Sequence, residues 1–297
     1  MIFRNSKALI ILAFFAIYVI WGSTYLFNKI AVTELPPFFL ASIRFFTAGC
    51  MMILIAFLTK VNLKISRKEF KNICITAFFF LVYGNSVFVW SLQFVDSGFG
   101  SLIASTNPLF VLIMMRIIDR KPMQKKSMIG VILGILGMIL LITQEELVTT
   151  QNTLIGILVM LTCVISWSYG SLFVAKATLP KNFLVSTGYQ MIFGSLFLAI
   201  VSFAFQENWS SPLNWTTNVQ VSMIILIIFG GIIAFTAFNF LLKRVSPEKV
   251  STSAYVNPVI ALFMGWYFLD ENLSAQSIIA SVILLTGVYF ITSRKRQ

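Results

Sequence analysis

Residues 101–142 read SLIASTNPLFVLIMMRIIDRKPMQKKSMIGVILGILGMILLI, and residues 251–292 read STSAYVNPVIALFMGWYFLDENLSAQSIIASVILLTGVYFIT. Overlaid at a spacing of 150 without a gap, Asn107-Pro108 falls on Asn257-Pro258, Ser127 on Ser277 and Gly137 on Gly287. The register holds from Ala77 to Ile142. Yet the basic pair Arg120-Lys121 falls on the acidic pair Asp270-Glu271. A duplicated unit with a basic connector in one copy and an acidic one in the other implies two copies lying upside down in a membrane.

Composition points to the same environment. Charged residues make up 11% of the 297 and apolar residues 58%, whereas a soluble chain is roughly one quarter charged. Apolar stretches recur at about 8–29, 37–59, 71–94, 98–117, 126–143, 153–175, 183–205, 219–242, 249–268 and 276–293. Each is long enough to cross a hydrocarbon core of ~30 Å. Lipid offers the backbone no hydrogen bonds, so these ten segments are expected to be helical. The first follows Arg4 and Lys7 but is too long for a signal peptide's apolar region, and nothing like a cleavage site follows Trp21-Gly22-Ser23. It reads as a retained helix.

The net charge of +12 is one-sided, because 20 of the 22 basic residues sit on alternate connectors or at the ends of the chain. By the positive-inside rule both termini are expected in the cytoplasm, and the chain in a plasma or bacterial inner membrane. Basic clusters placed this way orient helices and meet the lipid bilayer; they are no nucleic-acid footprint. Cys50, Cys74 and Cys163 lie in or beside apolar segments without paired spacing, which suits buried packing residues.

Ten helices divide into five plus five near residue 147, giving repeats at 1–147 and 148–297. Five is odd, so the second copy enters from the opposite face. Inverted repeats of this kind are how many secondary transporters are built. The front of each unit matches at a spacing of 146, where Trp21 meets Trp167, Leu26-Phe27 meets Leu172-Phe173 and Arg44 meets Gln190.

Several of these residues carry a family likeness. They are Trp21-Gly22-Ser23-Thr24, Arg44-Phe45 after Pro36-Pro37, Asn107-Pro108, Asn257-Pro258, and Asp270-Glu271-Asn272-Leu273-Ser274 ahead of a helix ending in Thr286-Gly287. In that order the chain resembles the drug/metabolite transporter superfamily, specifically proteins with two EamA-type domains. One departure is Lys121, where the second copy keeps Glu271. The resemblance implies that helices 1, 3, 4, 6, 8 and 9 surround a central cavity while 5 and 10 stand outside. It also implies small metabolites as cargo, mostly exported.

Candidate site residues follow from polarity at mid-depth. Pro108 and Pro258 donate no hydrogen bond, which frees the carbonyls of Ala104 and Ala254 and lets the helices bend. Freed carbonyls beside an Asn amide either shape a polar cavity or mark packing kinks. Trp21, Thr24, Tyr83, Asn85, Asn107, Trp167, Tyr169, Asn239, Tyr255 and Asn257 are the expected substrate contacts. Arg44, buried within its segment, is expected to pair with Glu34, Asp96 or Glu271, to meet a substrate carboxylate, or to snorkel. With Glu271, Pro108 and Pro258 it forms the gating and structural set. Gly130, Gly134 and Gly137 suit close helix packing, within the unit or between subunits of a possible homodimer.

What is missing limits the chemistry. The chain has no histidine, no acidic residue in the central third of a helix and no phosphate-binding loop, so neither enzyme activity, a metal nor a cofactor is expected. A cavity of amides, hydroxyls and aromatic faces suits neutral or zwitterionic small molecules such as amino acids. Transport is then facilitated diffusion or exchange, or protons couple through Asp96, Asp270 or Glu271. A channel-like facilitator and a drug efflux carrier are the alternatives.

Overall fold

The computed structural model describes residues 6–118, 120, 125–143, 151–251, 253 and 256–292. Helix α1 spans Lys7–Val32, α2 Pro37–Leu58, α3 Arg67–Ser91, α4 Ser97–Ile118, α6 Gln151–Lys176, α7 Phe183–Ala204 and α8 Thr217–Arg244. Helix α5 is Lys125–Ile142, α9 is Asn257–Leu269 with a single turn Pro247–Val250 ahead of it, and α10 is Ala275–Thr292. Seven of these are long and apolar enough to cross a bilayer, and no strand occurs among the described residues. Bulky apolar side chains such as Ile11, Phe57, Ile200 and Phe203 stand exposed on the outside, as lipid-facing residues must. The chain is an all-helical integral membrane protein.

Connectors sort onto two faces. On one, Thr216 Oγ1 donates to Glu34 (2.8 Å), Phe39 N to Glu207 (2.7 Å), Ser97 N to Glu271 (2.8 Å) and Gln276 to the Leu140 carbonyl (2.9 Å). On the other, Asn72 donates to the Thr178 carbonyl (2.9 Å) and Tyr189 to that of Leu63 (3.1 Å). The first face carries the acidic connectors and the second the basic ones. Helix α1 runs from basic to acidic, whereas α6, its counterpart, runs from acidic to basic.

The repeat is written in the backbone. Among the described residues the non-glycine positions at positive φ are Lys60 (57°), Arg120 (51°), Gln206 (55°) and Asp270 (52°). Lys60 and Gln206 are 146 apart, and Arg120 and Asp270 are 150 apart. Lys60 and Gln206 close the same helix-ending turn, in which Val61 N reaches Ala56 O (2.8 Å) and Glu207 N reaches Ser202 O (3.0 Å). The change of spacing has a simple source. Connector 205–216 has four more residues than connector 59–66, its counterpart.

Contacts between halves are self-complementary, as a two-fold axis requires. Ser42 Oγ donates to Ser195 O (3.0 Å), and the mates of these residues, Gly188 and Gly49, meet so closely that a Cβ on Gly49 would lie 2.9 Å from Gly188 O. Likewise a Cβ on Gly137 would meet Leu284 Cγ at 2.7 Å, and one on its mate Gly287 would meet Gly134 N at 2.9 Å. Thus α2 packs on α7 and α5 on α10. The glycine stripe of α5 serves contact between the two halves of one chain, where the spacing had suggested packing within the unit or between subunits.

Three helices widen into i→i+5 turns, at Ala16–Ile20 in α1, Phe78–Val87 in α3 and Leu226–Phe235 in α8. In α3 this requires Gly84, since a Cβ there would lie 2.4 Å from Phe79 O. Such turns cluster at functional sites, and all three helices line the cavity described next.

Candidate functional site

Helix α4 breaks where proline demands it. Ser105 and Thr106 form a turn, Thr106 N reaches only Ile103 O (3.1 Å), and the helix restarts at Asn107. Asn257 likewise opens α9. Between these interruptions lies a cavity lined from α1, α3, α4, α6, α8, the approach to α9 and the start of α9; among the described residues α2, α5, α7 and α10 contribute nothing to it. Its interior gives water centres ≈ 140 Å³. One water needs about 10–15 Å³ by that measure, so about ten waters, or one amino-acid-sized solute, would fill it. Among the described residues, no charged side chain is in the lining.

Seven of the expected residues line it: Trp21, Thr24, Asn85, Asn107, Trp167, Asn257 and Pro258. The tryptophans meet edge to face at 5.6 Å, and Phe238 packs 4.9 Å from Trp21 and 5.4 Å from Trp167. Trp21 Nε1 donates to Gly230 O (3.4 Å) and Thr24 Oγ1 to Trp21 O (2.7 Å). Asn107 O accepts from Ser168 (3.4 Å). With its nitrogen turned toward the π-turn of α1, Asn257 donates to the carbonyls of Ile17 (3.1 Å) and Tyr18 (2.7 Å).

Other expected contacts sit elsewhere. Tyr83 shares a hydrogen bond with Thr162 (3.1 Å), Tyr169 is half-exposed against Phe79, and Asn239 donates to Gln190 (3.3 Å) in the α7–α8 interface. None of the three is in the lining, and neither is Pro108. Tyr255, Ala254 and Lys121 lie outside the described residues. Mid-depth polarity did not single out Asn28, which lines the cavity and donates to Thr24 O (2.7 Å). An amide four residues inside the end of an apolar helix was the signal.

Arg44 corrects an expectation. Its guanidinium donates to Asn85 Oδ1 and lies 4.4 Å from the Phe45 ring, and among the described residues it meets no carboxylate. The acids proposed as partners are engaged otherwise. Glu34 accepts from Thr216 N (3.2 Å) and Oγ1 (2.8 Å). Glu271 accepts from Ser97 N (2.8 Å) and Gly98 N (3.0 Å). Asp96 lies beside Glu271 and Lys29; burial first, then the Glu271 charge, raises its pKa against the pull of Lys29. Lys29 Nζ itself donates to the carbonyls of Leu92 (2.6 Å) and Val95 (3.0 Å).

With Glu207 on Phe38 N (3.2 Å) and Phe39 N (2.7 Å), three carboxylates cap the first turns of α2, α4 and α8, each reaching from one half to the other. Carboxylates are favoured there because the first N–H groups of a helix lack partners and carry partial positive charge. Beneath these clasps the cavity ends among the buried Asn28, Leu92 and Ser101, while toward the basic face its lining reaches partly exposed Pro247.

An integral membrane chain folded as paired five-helix units around an uncharged cavity, latched at one face, defines a membrane transporter. The chain belongs to the EamA-like transporter family, whose model matches residues 8–143 and 154–293. It is 32% identical over 285 residues to the uncharacterized inner membrane transporter YedA of Escherichia coli (strain K12), covering 95% of this chain and 90% of the relative. It is 25% identical over 288 residues to the uncharacterized transporter YoaV of Bacillus subtilis (strain 168), covering 95% and 96%. A solved crystal structure shares the fold at a TM-score of 0.70 and 17% identity, over 96% of each chain.

Proposed function

We propose that this protein carries small neutral or zwitterionic metabolites, amino acids foremost, by alternating access of its two halves to the central cavity. The observation that carries the reading is the cavity itself: amides and hydroxyls at two interrupted helices, a Trp21–Trp167–Phe238 aromatic cluster, and no charged side chain among the described lining residues. A charged wall would demand an oppositely charged solute. This one offers hydrogen bonds, apolar cover and ring faces that attract an ammonium group. On this reading the positive-inside rule assigns the basic face to the cytoplasm, and the arrangement described is then closed outside and approached from within. Translocation, with no chemistry on the solute, is the whole activity. Proton coupling, where present, would run through Asp96 and Glu271, which share the outer clasp.

Counterflow in proteoliposomes tests this. Vesicles preloaded with an unlabelled amino-acid mixture should accumulate labelled amino acid transiently and saturably. Unsaturable flux without counterflow would favour the channel reading, against which the clasped acidic face stands.

A further inference from the structure

Among the described residues, two buried side-chain atoms of opposite kind have no hydrogen-bond partner near the acidic end of the cavity: Arg44 Nε, a donor, and Asn28 Oδ1, an acceptor. Asn28 lines the cavity and Arg44, itself behind the lining, donates to the lining residue Asn85, whereas the other such atoms are on Ser97, Thr187 and Asn239, which are outside the lining. Both residues are more than nine-tenths buried, at 4% and 6% exposure. Their depths fall within about one helical turn. At 1.5 Å per residue, Asn28 lies about 6 Å from the end of α1, Arg44 about 10 Å into α2, and Asn85 about 9 Å from the end of α3.

Their orientations are fixed. Asn28 commits its nitrogen to Thr24 O (2.7 Å), which leaves its oxygen free. Asn85 commits its oxygen to the Arg44 guanidinium, which leaves its two N–H groups for the cavity it lines. One wall therefore presents donors with an uncompensated positive charge behind them, and another presents an acceptor. A buried cation lacking a counter-charge is costly, and a solute that supplies one is correspondingly favoured.

We infer that this end of the cavity is the head-group site for an α-amino acid: the carboxylate binds the Asn85 N–H groups backed by Arg44, and the ammonium binds Asn28 Oδ1. The side chain then lies toward Trp21, Trp167 and Phe238. Arg44 acts through Asn85 and is a positioning residue. The inference rests on the amino-acid reading above and narrows it. The repeat supports a single such site, because the mates of Asn28, Arg44 and Asn85 are Val174, Gln190 and Phe235. Gln190 there is satisfied by Asn239 (3.3 Å).

The test uses the purified full chain and ligand-induced shifts in melting temperature. The probes are L-phenylalanine, L-methionine and L-threonine, each beside its primary amide, with 3-phenylpropionate as the acid lacking an ammonium. At least one amino acid should raise the melting temperature, its amide should bind about tenfold or more weakly, and 3-phenylpropionate should bind weakly too. Arg44→Gln should erase discrimination against the amide, with Arg44→Lys restoring part of it. Asn28→Ala should erase discrimination against 3-phenylpropionate. Should Arg44→Gln fail to fold, Asn85→Asp gives Arg44 a counter-charge and repels a carboxylate, so amino-acid binding should vanish without loss of thermal stability. Equal binding of acid and amide, or unchanged binding in Asn85→Asp, overturns the head-group site and leaves the carrier intact. No response to any amino acid, together with no counterflow, overturns the amino-acid reading and this site with it.

Discussion

Glu271 reaches Ser97 and Gly98 only because residue 265 is glycine: a Cβ there would lie 2.2 Å from Glu271 Oε2. Gly265→Ala should expel the carboxylate and strand two backbone N–H groups, costing about 1–3 kcal/mol. A thermal-unfolding midpoint equal to wild type would show that the clasp carries no stability. Asp96 beside it makes a pH prediction. A carboxyl whose folded pKa is raised binds its proton more tightly when folded. Its stabilising contribution is complete below the ordinary aspartate pKa and lost as pH rises through the raised value. The melting temperature of wild type relative to Asp96→Asn should therefore climb as pH falls through that interval; a flat difference would contradict the placement of Asp96. At this scale the sequence was a partial guide. Trp21, Asn107 and Asn257 stood out as rare polar or aromatic groups at mid-depth. Tyr83 and Tyr169 looked the same but face other neighbours, because composition cannot say which side of a helix meets the cavity.

At the level of elements, α5 and α10 hold together through backbone approach. A side chain at Gly287 would press on Gly130 O (2.8 Å) and Gly134 N (2.9 Å), neither of which can swing aside. Gly287→Leu should part the helices and cost about 1–3 kcal/mol, as overpacking does; unaltered thermal unfolding in detergent would show that the contact contributes nothing. Helix existence and order were legible because ten apolar runs of bilayer length leave little freedom. The i→i+5 turns of α1, α3 and α8 were not. They depend on close contacts such as Gly84 against Phe79 O, which no periodicity announces. The carboxylate pairing offered for Arg44 failed for a related reason: Glu34 and Glu271 are claimed by helix starts, and Asp96 lies with Lys29 and Glu271.

For the molecule as a whole, the duplicated stretch decided the architecture, and the positive-φ turns at 60, 120, 206 and 270 repeat it in the backbone. The proposed alternating access requires the acidic clasps to part in each cycle. Glu34→Cys with Thr216→Cys, in a chain whose Cys50, Cys74 and Cys163 have been replaced, should stop counterflow when oxidised and recover it on reduction. Full transport by the oxidised pair would show that this face never opens.

Pro36 and Asn182 occupy equivalent places 146 residues apart. Asn182 caps α7 from within its own half, accepting from Leu184 N (2.9 Å) and Val185 N (3.3 Å). Pro36 has no side-chain acceptor to offer, so α2 borrows Glu207 from the opposite unit. The acidic face is thus bolted across the seam by carboxylates, whereas the hydrogen bonds across it on the basic face, Asn72 to Thr178 O and Tyr189 to Leu63 O, are between neutral groups. A difference of 1.4 kcal/mol between two states is about a tenfold bias in their populations, so a carrier working by the proposed alternating access would, when empty, wait facing the basic side. Such a molecule rectifies: half-saturation should come at lower solute concentration from that side than from the other.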